Sequence, residues 1–316
     1  MVYRDGFIDQ VSEGYEGVAA REREALPEEY AGKTLLQIFI RRFVRHKLAM
    51  AGLVVLVVLY SLAILTPWIT PYEFDEIDLY NMYSPPSAQH WFGTDELGRD
   101  TLTRVLYGGR ISLMVGTVVA ILSSTIGTLI GMIAGYYGKW VDNLLMRFVD
   151  LMLSLPLLPL LIVVAAIKGP GLGGIIIILG LLTWTSVARL VRGSFLSIRE
   201  EDYVQAARAL GASDWRIIVR HILPNAMAPI IVSTTLMVGI AILIESVLSY
   251  LGFGIQPPTP SWGNMLHKAK ITMTQYPWLT YFPGLMIVLT VLCFNFVGDG
   301  LRDALDPRQT LYRRYT

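Results

Sequence analysis

Six long apolar runs constrain this chain more than any other feature. They cover residues 48–69, 111–136, 145–167, 173–191, 226–251 and 279–298. A helix that crosses the hydrocarbon core of a bilayer needs about 20 mainly apolar residues, and each run is near or above that length. Only 16% of the residues are charged, against roughly a quarter in soluble domains. The sequence therefore predicts an all-α membrane protein with six transmembrane helices.

The positive charges between these runs predict the orientation in the membrane. Of the 26 lysines and arginines, 20 fall in the segments that share a side with the N-terminus. Cytoplasmic segments are enriched in these residues, so both termini are expected in the cytoplasm. The segment 71–110 also carries seven acidic residues, which suits an extracytoplasmic loop.

The same reading divides the chain into five parts. Residues 1–33 are polar and are expected to form a cytoplasmic tail. Residues 34–70 combine a first membrane span with a preceding stretch of alternating apolar and basic residues, a pattern typical of a helix in the membrane interface. The loop 71–110 follows, then a transmembrane core over 111–301, and a second cytoplasmic tail over 302–316.

Glycine and proline within the spans predict close packing and bending. Gly127, Gly131 and Gly135 recur every four residues, which lets a second helix approach closely; a gating role is the alternative. Pro156 and Pro159 are each expected to kink the third span.

Charged residues inside the spans are candidates for function. Glu245 is an acid within an apolar run of 26 residues, and three roles are open: a structural hydrogen bond, lining of a path, or proton coupling. With Gly131 and Pro156 it is a candidate for the translocation path or gate. Asp150 lies three residues after Arg147, where the two side chains are expected to pair on one helix face.

Enzymatic and metal chemistry find no support in the sequence. The segment 32–34 (GKT) lacks the earlier glycine that a phosphate-binding loop requires. Cys293 is the one cysteine, and the four histidines are scattered along the chain. We therefore expect no catalytic residue, no metal, no cofactor bound by this chain and no nucleic-acid partner.

Two extramembrane loops are rich in turn residues. One covers 90–100 and continues to 107–110; the other covers 252–265, where three prolines forbid a continuous helix. Trp91 and Trp262 are expected at the membrane–water boundary. The alternative is that these loops form a lid, or a seat for a partner that delivers substrate.

The segment 199–225 is long, charged and helix-forming, unlike a simple connection between two spans. A helix is predicted over 203–210, with Gly211 in the left-handed conformation that ends it. Ser213 is expected to cap a second helix, with Asp214 near its positive end and Pro224 before the next span. A helix–turn–helix with a small-residue surface would suit docking into a cleft of another protein.

This segment resembles the coupling loop of permeases from binding-protein-dependent ABC importers. The family pattern is matched at Ala206, Ala207, Gly211, Leu223 and Pro224. Two positions depart from it, because Gln205 replaces a glutamate and His221 replaces an isoleucine. The first change removes a charge, so no ionic role is assigned to Gln205. The resemblance implies that the residues which contact an ATPase are Gln205, Ala206, Ala207, Gly211, Ala212, Ser213 and Asp214.

Five further segments narrow the resemblance to the C-type subunit of the dipeptide, oligopeptide and nickel permease family. They are 92–100, 109–113, 221–225, 245–252 and 257–265. The resemblance implies a type I ABC importer permease fold in a prokaryotic plasma membrane. It also implies a homologous B-type permease, two ATPase subunits that bind ATP and magnesium, an extracytoplasmic solute-binding protein and a peptide substrate.

Other functions remain open from the sequence alone. A secondary transporter or channel driven by an ion gradient would use an intramembrane acid such as Glu245. An assembly protein without a pore is less well supported, because a plain anchor needs neither the glycines nor the prolines. Within the importer family, nickel and glutathione are alternative substrates.

Overall fold

The computed structural model describes residues 35–169 and 171–305, and these residues are almost entirely helical. The predictions for the tails 1–33 and 306–316 lie outside the described residues. The helices are α1 (Leu35–Arg45), α2 (Lys47–Ile69), α3 (Thr101–Tyr137), α4 (Lys139–Ser154), α5 (Leu157–Lys168), α6 (Leu172–Thr183), α7 (Thr185–Arg199), α8 (Asp202–Ala209), α9 (Asp214–Tyr250), α10 (Trp262–Ala269) and α11 (Trp278–Leu305), with a short 3₁₀ turn at Leu79–Asn81.

Within residues 35–169 and 171–305, five helical stretches are long and apolar enough to cross a membrane. They are α2, α3, the α6–α7 pair over Leu172–Arg199, α9 and α11. A sixth candidate is the pair α4 and α5, whose axes differ by 86°. The predicted all-α membrane fold is therefore confirmed, and the third predicted span is broken rather than straight.

The break lies at Pro156, as the sequence predicts. Leu155 is extended, with ψ 133°, because the ring of a following proline disfavours helical conformation in the residue before it. Pro156 then occupies the N-cap of α5. The expectation of a second kink at Pro159 is wrong, since Pro159 lies in the first turn of α5, where a backbone N–H has no partner within the helix.

Helix α3 is the centre of the bundle, in contact with α2, α6, α7 and α9. It begins at Thr101, ten residues before the predicted limit, and Asp100 caps it by accepting the Thr103 N–H at 2.7 Å. The segment 107–110, expected to be loop, is helical. Its glycines face the indole of Trp262, and a Cβ at Gly109 would lie 3.0 Å from that ring.

The glycine stripe joins α3 to α7, which confirms the predicted close packing. A Cβ at Gly127 would lie 2.7 Å from the carbonyl oxygen of Trp184, and one at Gly135 would lie 2.5 Å from the Cβ of Phe195. A Cβ at Gly131 would collide with the carbonyl oxygen of Ala188. The two backbones are thus in direct contact along three turns.

Helix α9 corrects the predicted helix–turn–helix. The second predicted helix does not stop before the span; it continues through Pro224 to Tyr250. Residues Ile217–Ile222 form a π-helical turn, in which the Leu223 N–H donates to the carbonyl of Ile218. This wider turn precedes the proline, whose ring would otherwise press against the backbone one α-helical turn earlier.

Two groups of connections mark the two ends of the bundle. The 199–225 end holds α8, the C-termini of α3, α7 and α11, and α1. The 70–100 end holds the long loop between α2 and α3, together with α10. Helix α1 exposes three apolar side chains, Leu36, Ile40 and Val44, which are spaced four residues apart. This pattern is expected of an interfacial helix.

Candidate functional site

The 199–225 segment has a tightly defined backbone. Helix α8 ends at a glycine, as predicted: Gly211 has φ +81°. Its N–H donates to the carbonyl of Arg208 at 3.0 Å, and the Ala212 N–H donates to that of Ala207 at 3.1 Å. This pair of bonds is a Schellman motif, which requires the left-handed residue that glycine supplies at low cost.

The start of α9 differs in detail from the prediction. Ser213 is the N-cap residue, but its side chain makes no capping hydrogen bond. The carboxylate of Asp214 instead accepts a hydrogen bond from the hydroxyl of Tyr136, at 2.6 Å. Tyr136 belongs to the last turn of α3, so this bond joins the start of α9 to the end of α3.

Further contacts attach the segment to α3 and α7. Arg199 donates to the carbonyl oxygens of Tyr136, at 3.0 Å, and Gly135, at 3.3 Å. The Arg208 guanidinium lies 5.7 Å from the centre of the Tyr136 ring, a cation–π distance. Gln205 donates to the carbonyl of Arg199 at 3.1 Å. Sequence reasoning did not single out Tyr136, because nothing in the pattern placed it beside the loop, and it assigned no contact to Arg199, the first residue of the segment.

The outer face of the segment is apolar and exposed. Tyr203, Ala206 and Leu210 follow one face of α8, with Leu210 88% exposed, and Trp215 nearby is 69% exposed. We call these four residues the apolar stripe. Large apolar side chains exposed outside the membrane spans are typical of a protein interface. Leu210 and Trp215 were missed in the sequence, although two large apolar residues in a charged loop are a usable signal.

A cavity of about 1080 Å³ opens beside this end of the bundle, between α4–α5, α6–α7 and α9. Most of its lining is aliphatic, and its polar lining residues are Thr183, Thr185, Ser186, Asn225, Ser233 and Arg302. Gly131, Pro156 and Glu245 are not among the lining residues, although Leu155 and Leu157 beside the proline are. The structure thus places the three path candidates in separate surroundings.

Glu245 is fully buried among serine hydroxyls. Its carboxyl accepts hydrogen bonds from Ser249, at 2.7 Å, and from Ser112, at 3.3 Å. Each serine also accepts a backbone N–H, from Ile255 and Trp262 respectively. The Ile255 N–H, in the loop after α9, and the Trp262 N–H, at the start of α10, are therefore each linked through a serine to one carboxyl, which indicates a structural role for Glu245.

The 70–100 end holds a cluster of buried charges. Asp95, 6% exposed, accepts the Nε–H of Arg99 at 2.8 Å and the backbone N–H groups of Leu97 and Arg99. Glu96 pairs with Arg99, at 2.8 Å, and with Lys268 on α10, at 2.9 Å. Desolvation raises the pKa of Glu96, but the Lys268 hydrogen bond and the two cations outweigh it, so the net pKa is lowered. These pairs fix the loop to α10.

Two side chains have surroundings that the sequence did not predict. Trp262, expected at the membrane–water boundary, is enclosed by protein: it is 2% exposed, and its indole N–H donates to the carbonyl of Val105 at 3.0 Å. Trp91, in contrast, is 69% exposed. Asp150 pairs with Arg189 of α7, at 2.8 Å, rather than with Arg147 of its own helix. Asp150 and Arg189 meet because they occupy facing positions on α4 and α7.

The part of the chain that the structure describes contains no group of three His, Cys, Asp or Glu side chains placed to hold a metal ion. Cys293 is a buried free thiol.

Comparison with known proteins agrees with this geometry. Residues 127–311 match the family of binding-protein-dependent transport system inner membrane components, and residues 34–86 match the N-terminal transmembrane domain of oligopeptide transport permease C. The dipeptide transport system permease protein DppC of Alkalihalophilus pseudofirmus is 43% identical over 281 residues, which are 89% of this chain and 92% of that protein.

Two other relatives are similar to the chain over comparable lengths. DppC of Bacillus subtilis is 44% identical over 289 residues, covering 91% of this chain and 90% of the relative. A putative peptide permease protein of Brucella suis is 45% identical over 272 residues, covering 85% and 90%. The exposed loop, the helical bundle and these similarities lead to one conclusion: this chain belongs to the family of binding-protein-dependent transport system inner membrane components, and is a multi-pass permease of an ABC transport system.

Proposed function

We propose that this chain is the C-type permease subunit of an ATP-driven importer of di- or oligopeptides. It would pair with a homologous B-type permease, two ATPase subunits that bind ATP and magnesium, and an extracytoplasmic solute-binding protein. The dipeptide and peptide permease names of the relatives support the substrate class. Both termini and the 199–225 end would lie in the cytoplasm, which the lysine and arginine distribution supports.

The observation that carries the proposal is the attachment of the exposed loop to two long helices, α3 and α9. Asp214 begins α9 and is bonded to Tyr136 at the end of α3; each helix has 37 residues. At 1.5 Å per residue, each is about 55 Å long, longer than the bilayer core is thick. A displacement of the loop is therefore transmitted to the opposite face of the membrane.

This attachment supports a simple mechanism. ATP binding draws the partner ATPase subunits together, and their clefts move the apolar stripe with them. The bonds of Tyr136, Arg199 and Arg208 make the loop, α3 and α9 move as one unit. Access to the path then alternates between the two sides, while the chain itself provides no catalytic group.

The cavity beside α9 is our candidate for this chain's half of the path. Its aliphatic wall suits varied side chains, and its scattered hydroxyl and amide groups can hydrogen-bond a peptide backbone. Peptide selection is assigned to the solute-binding protein, as the resemblance to the importer family implies. Nickel or glutathione transport remains the alternative within the family.

A gradient-driven transporter is supported less well. Its main candidate residue, Glu245, is sealed among serines and does not line the cavity. An acid that couples ion movement to transport must be reachable from one side of the membrane in each conformation of the transporter. The buried hydroxyl cluster around Glu245 indicates a structural role for this carboxyl instead.

Replacement of Leu210 tests the proposal. In the reconstituted complex, Leu210→Glu places a charge in the docking cleft and is expected to abolish ATP-dependent peptide uptake and weaken ATPase co-purification. Leu210→Met is the matched control and should retain both, since it keeps an apolar side chain of similar size. Because Leu210 is 88% exposed, neither change disturbs the bundle. Peptide uptake that survives Leu210→Glu contradicts the proposal. Uptake that proceeds without the ATPase subunits and is abolished by a protonophore also contradicts it.

A further inference from the structure

The cavity beside α9 has a single charge in its wall. Of the described residues that line it, Arg302 alone is charged, and the others have apolar, hydroxyl or amide side chains. Arg302 lies in the last turn of α11, at the 199–225 end, and is exposed. Its guanidinium offers five N–H donors and no acceptor, and it keeps its charge in proteins, so the ligand that suits it best is an oxyanion.

The Arg302 guanidinium is available for such a ligand. Within residues 35–169 and 171–305 it makes no hydrogen bond or ion pair. The carboxylate of the next residue, Asp303, lies 3.6 Å from His46, and neither Asp303 nor the exposed Asp299 lines the cavity. A positive charge that faces an apolar cavity without a counter-charge from its own chain can bind an anion from outside.

An acceptor for a backbone N–H lies at the same end of the cavity. The side-chain N–H groups of Asn225 donate to the carbonyl of His221, at 2.7 Å, and to the hydroxyl of Tyr203, at 3.1 Å. Both donors of this amide are therefore in use, which leaves its side-chain oxygen able to accept. This end of the cavity can thus receive a carboxylate together with the amide N–H that precedes it in a peptide.

The rest of the cavity is long enough for an extended chain. Its lining residues on α9 run from Asn225 to Ile244 at intervals of three or four residues, so they share one face of the helix. At 1.5 Å per residue this face is about 28 Å long, which corresponds to about eight residues of extended peptide. Beyond Asn225 the face is apolar except for Ser233, so the polar end of a ligand is best placed at Arg302.

From this lone charge at the end of an apolar groove we infer that Arg302 binds the terminal carboxylate of the transported peptide. The peptide lies along α9 with its carboxyl end toward the 199–225 end. This inference rests on the proposed function, in which the cavity is this chain's half of the path. Guanidinium and carboxylate form two parallel N–H···O bonds, which fix direction as well as position. Among the described lining residues there is no acid to attract the ammonium terminus, so the opposite direction is disfavoured.

The test measures peptide binding to the complete importer in nanodiscs of phosphatidylcholine, without ATP and without the solute-binding protein. Two hexapeptides of alanine and leucine are compared by titration calorimetry, one with a free carboxyl terminus and the other with a carboxamide. The native importer should bind the free acid about tenfold or more tightly than the amide, because the amide cannot form the charge-assisted pair. Arg302→Gln should weaken binding of the free acid by the same factor and leave binding of the amide unchanged.

Two further variants sharpen the result. Arg302→Lys keeps the charge but loses the planar fork, so its affinity for the free acid should be intermediate. Arg147→Gln is the matched control: Arg147, on α4, is exposed like Arg302 but does not line the cavity, and its replacement should change neither affinity. If Arg302 only stabilised the fold, its replacement would change the affinities for both peptides together.

An anionic lipid headgroup offers the same oxyanion chemistry as a carboxylate. Nanodiscs that also contain phosphatidylglycerol distinguish the two sources. If Arg302→Gln leaves peptide binding unchanged in phosphatidylcholine and alters only the response of ATP hydrolysis to phosphatidylglycerol, Arg302 is a lipid contact and the inference is overturned.

The inference is also overturned if the native importer binds the acid and the amide equally, if Arg302→Gln weakens both to the same extent, or if the native importer binds neither peptide. These results are separate from failure of the proposed function, which is shown by absence of ATP-dependent peptide uptake when the native complex is supplied with its solute-binding protein. If that uptake is intact while the two peptides bind equally, the assignment of Arg302 alone is wrong.

Discussion

At the 199–225 end, Leu210 is 88% exposed, and no atom lies within 4 Å of the point where a Cβ on Gly211 would be. At the opposite end, Asp95 and Arg99 are 6% and 4% exposed, and Trp262 is 2% exposed. Both regions carry segments that resemble the same family, yet one presents its side chains and the other encloses them.

This difference indicates that the two sequence motifs have different roles: one forms an exposed surface, and the other holds the fold together. Residues 206–211 are proposed to form a surface for another protein, so changes there are expected to impair function while the bundle stays folded. Residues 92–100 hold the loop, α3 and α10 together, so changes there are expected to impair folding itself. Comparing stability with coupling in the same variants shows whether the division holds.

The largest effect is expected in the buried charge cluster. Asp95→Ala leaves Arg99 buried without its main partner and should destabilise the subunit by about 3–5 kcal/mol. Thermal unfolding of the purified complex measures this. Glu200→Ala is the control, since Glu200 pairs with Arg199 at an exposed site, and exposed pairs contribute about 1 kcal/mol or less. Equal melting temperatures for the two variants would contradict the view that the 70–100 end stabilises the fold more than the 199–225 end does.

The serine cluster is expected to give the next largest effect. Glu245→Ala removes the shared acceptor of Ser112 and Ser249 and should cost about 1–3 kcal/mol for each buried hydroxyl left unsatisfied. Glu245→Gln keeps a carbonyl acceptor and should be milder. Protease cleavage within the 252–261 loop reports its loosening directly. A loop as resistant to cleavage in Glu245→Ala as in the native protein would show that the carboxyl does not hold it.

Two glycines away from both ends of the bundle allow a closely packed position, Gly131, to be compared with an open one, Gly193. Gly131→Ala forces α3 and α7 apart, because the new Cβ meets backbone atoms, and should destabilise by about 1–3 kcal/mol. Gly193→Ala, on α7, meets no atom within 4 Å and should be neutral or stabilising by less than about 1 kcal/mol. Melting temperatures of the two variants decide; similar losses would refute the close approach of the helices.

The smallest effect concerns the Glu96–Lys268 pair. Because the folded-state pKa of Glu96 lies below the ordinary value of 4.5, the pair stabilises the fold above that pH and is lost as the pH falls through the lowered pKa. Glu96→Gln should therefore lower the melting temperature slightly at pH 7 and have progressively less effect below about pH 4.5. A pH-independent difference between the two proteins would exclude this linkage.

Much of the fold follows from local patterns. The apolar runs predict the spans, Pro156 predicts the break, and Gly211 predicts the end of α8, since each depends on one residue's own backbone chemistry or on its neighbours in the chain. The glycine stripe predicts a close helix contact in the same way, although it does not say which helix makes it.

Other features depend on partners that are distant in the chain. Asp150 pairs with Arg189 rather than Arg147, and Asp214 bonds to Tyr136, 78 residues away. Helix α3 begins at the Asp100 cap, a local signal that the sequence interpretation did not use, and its glycines pack against Trp262, which is distant in the chain.

The sequence by itself determined that the chain spans a membrane as helices, that the third span breaks at Pro156, and which loop resembles a docking surface, because hydropathy and backbone preference act locally. Only the tertiary structure decided that Glu245 is enclosed by serines, that the charges of 92–100 are buried, and that α3 and α9 join the loop to the opposite face. Those outcomes depend on which side chains meet across the bundle, and that is set by the packing of all the helices together.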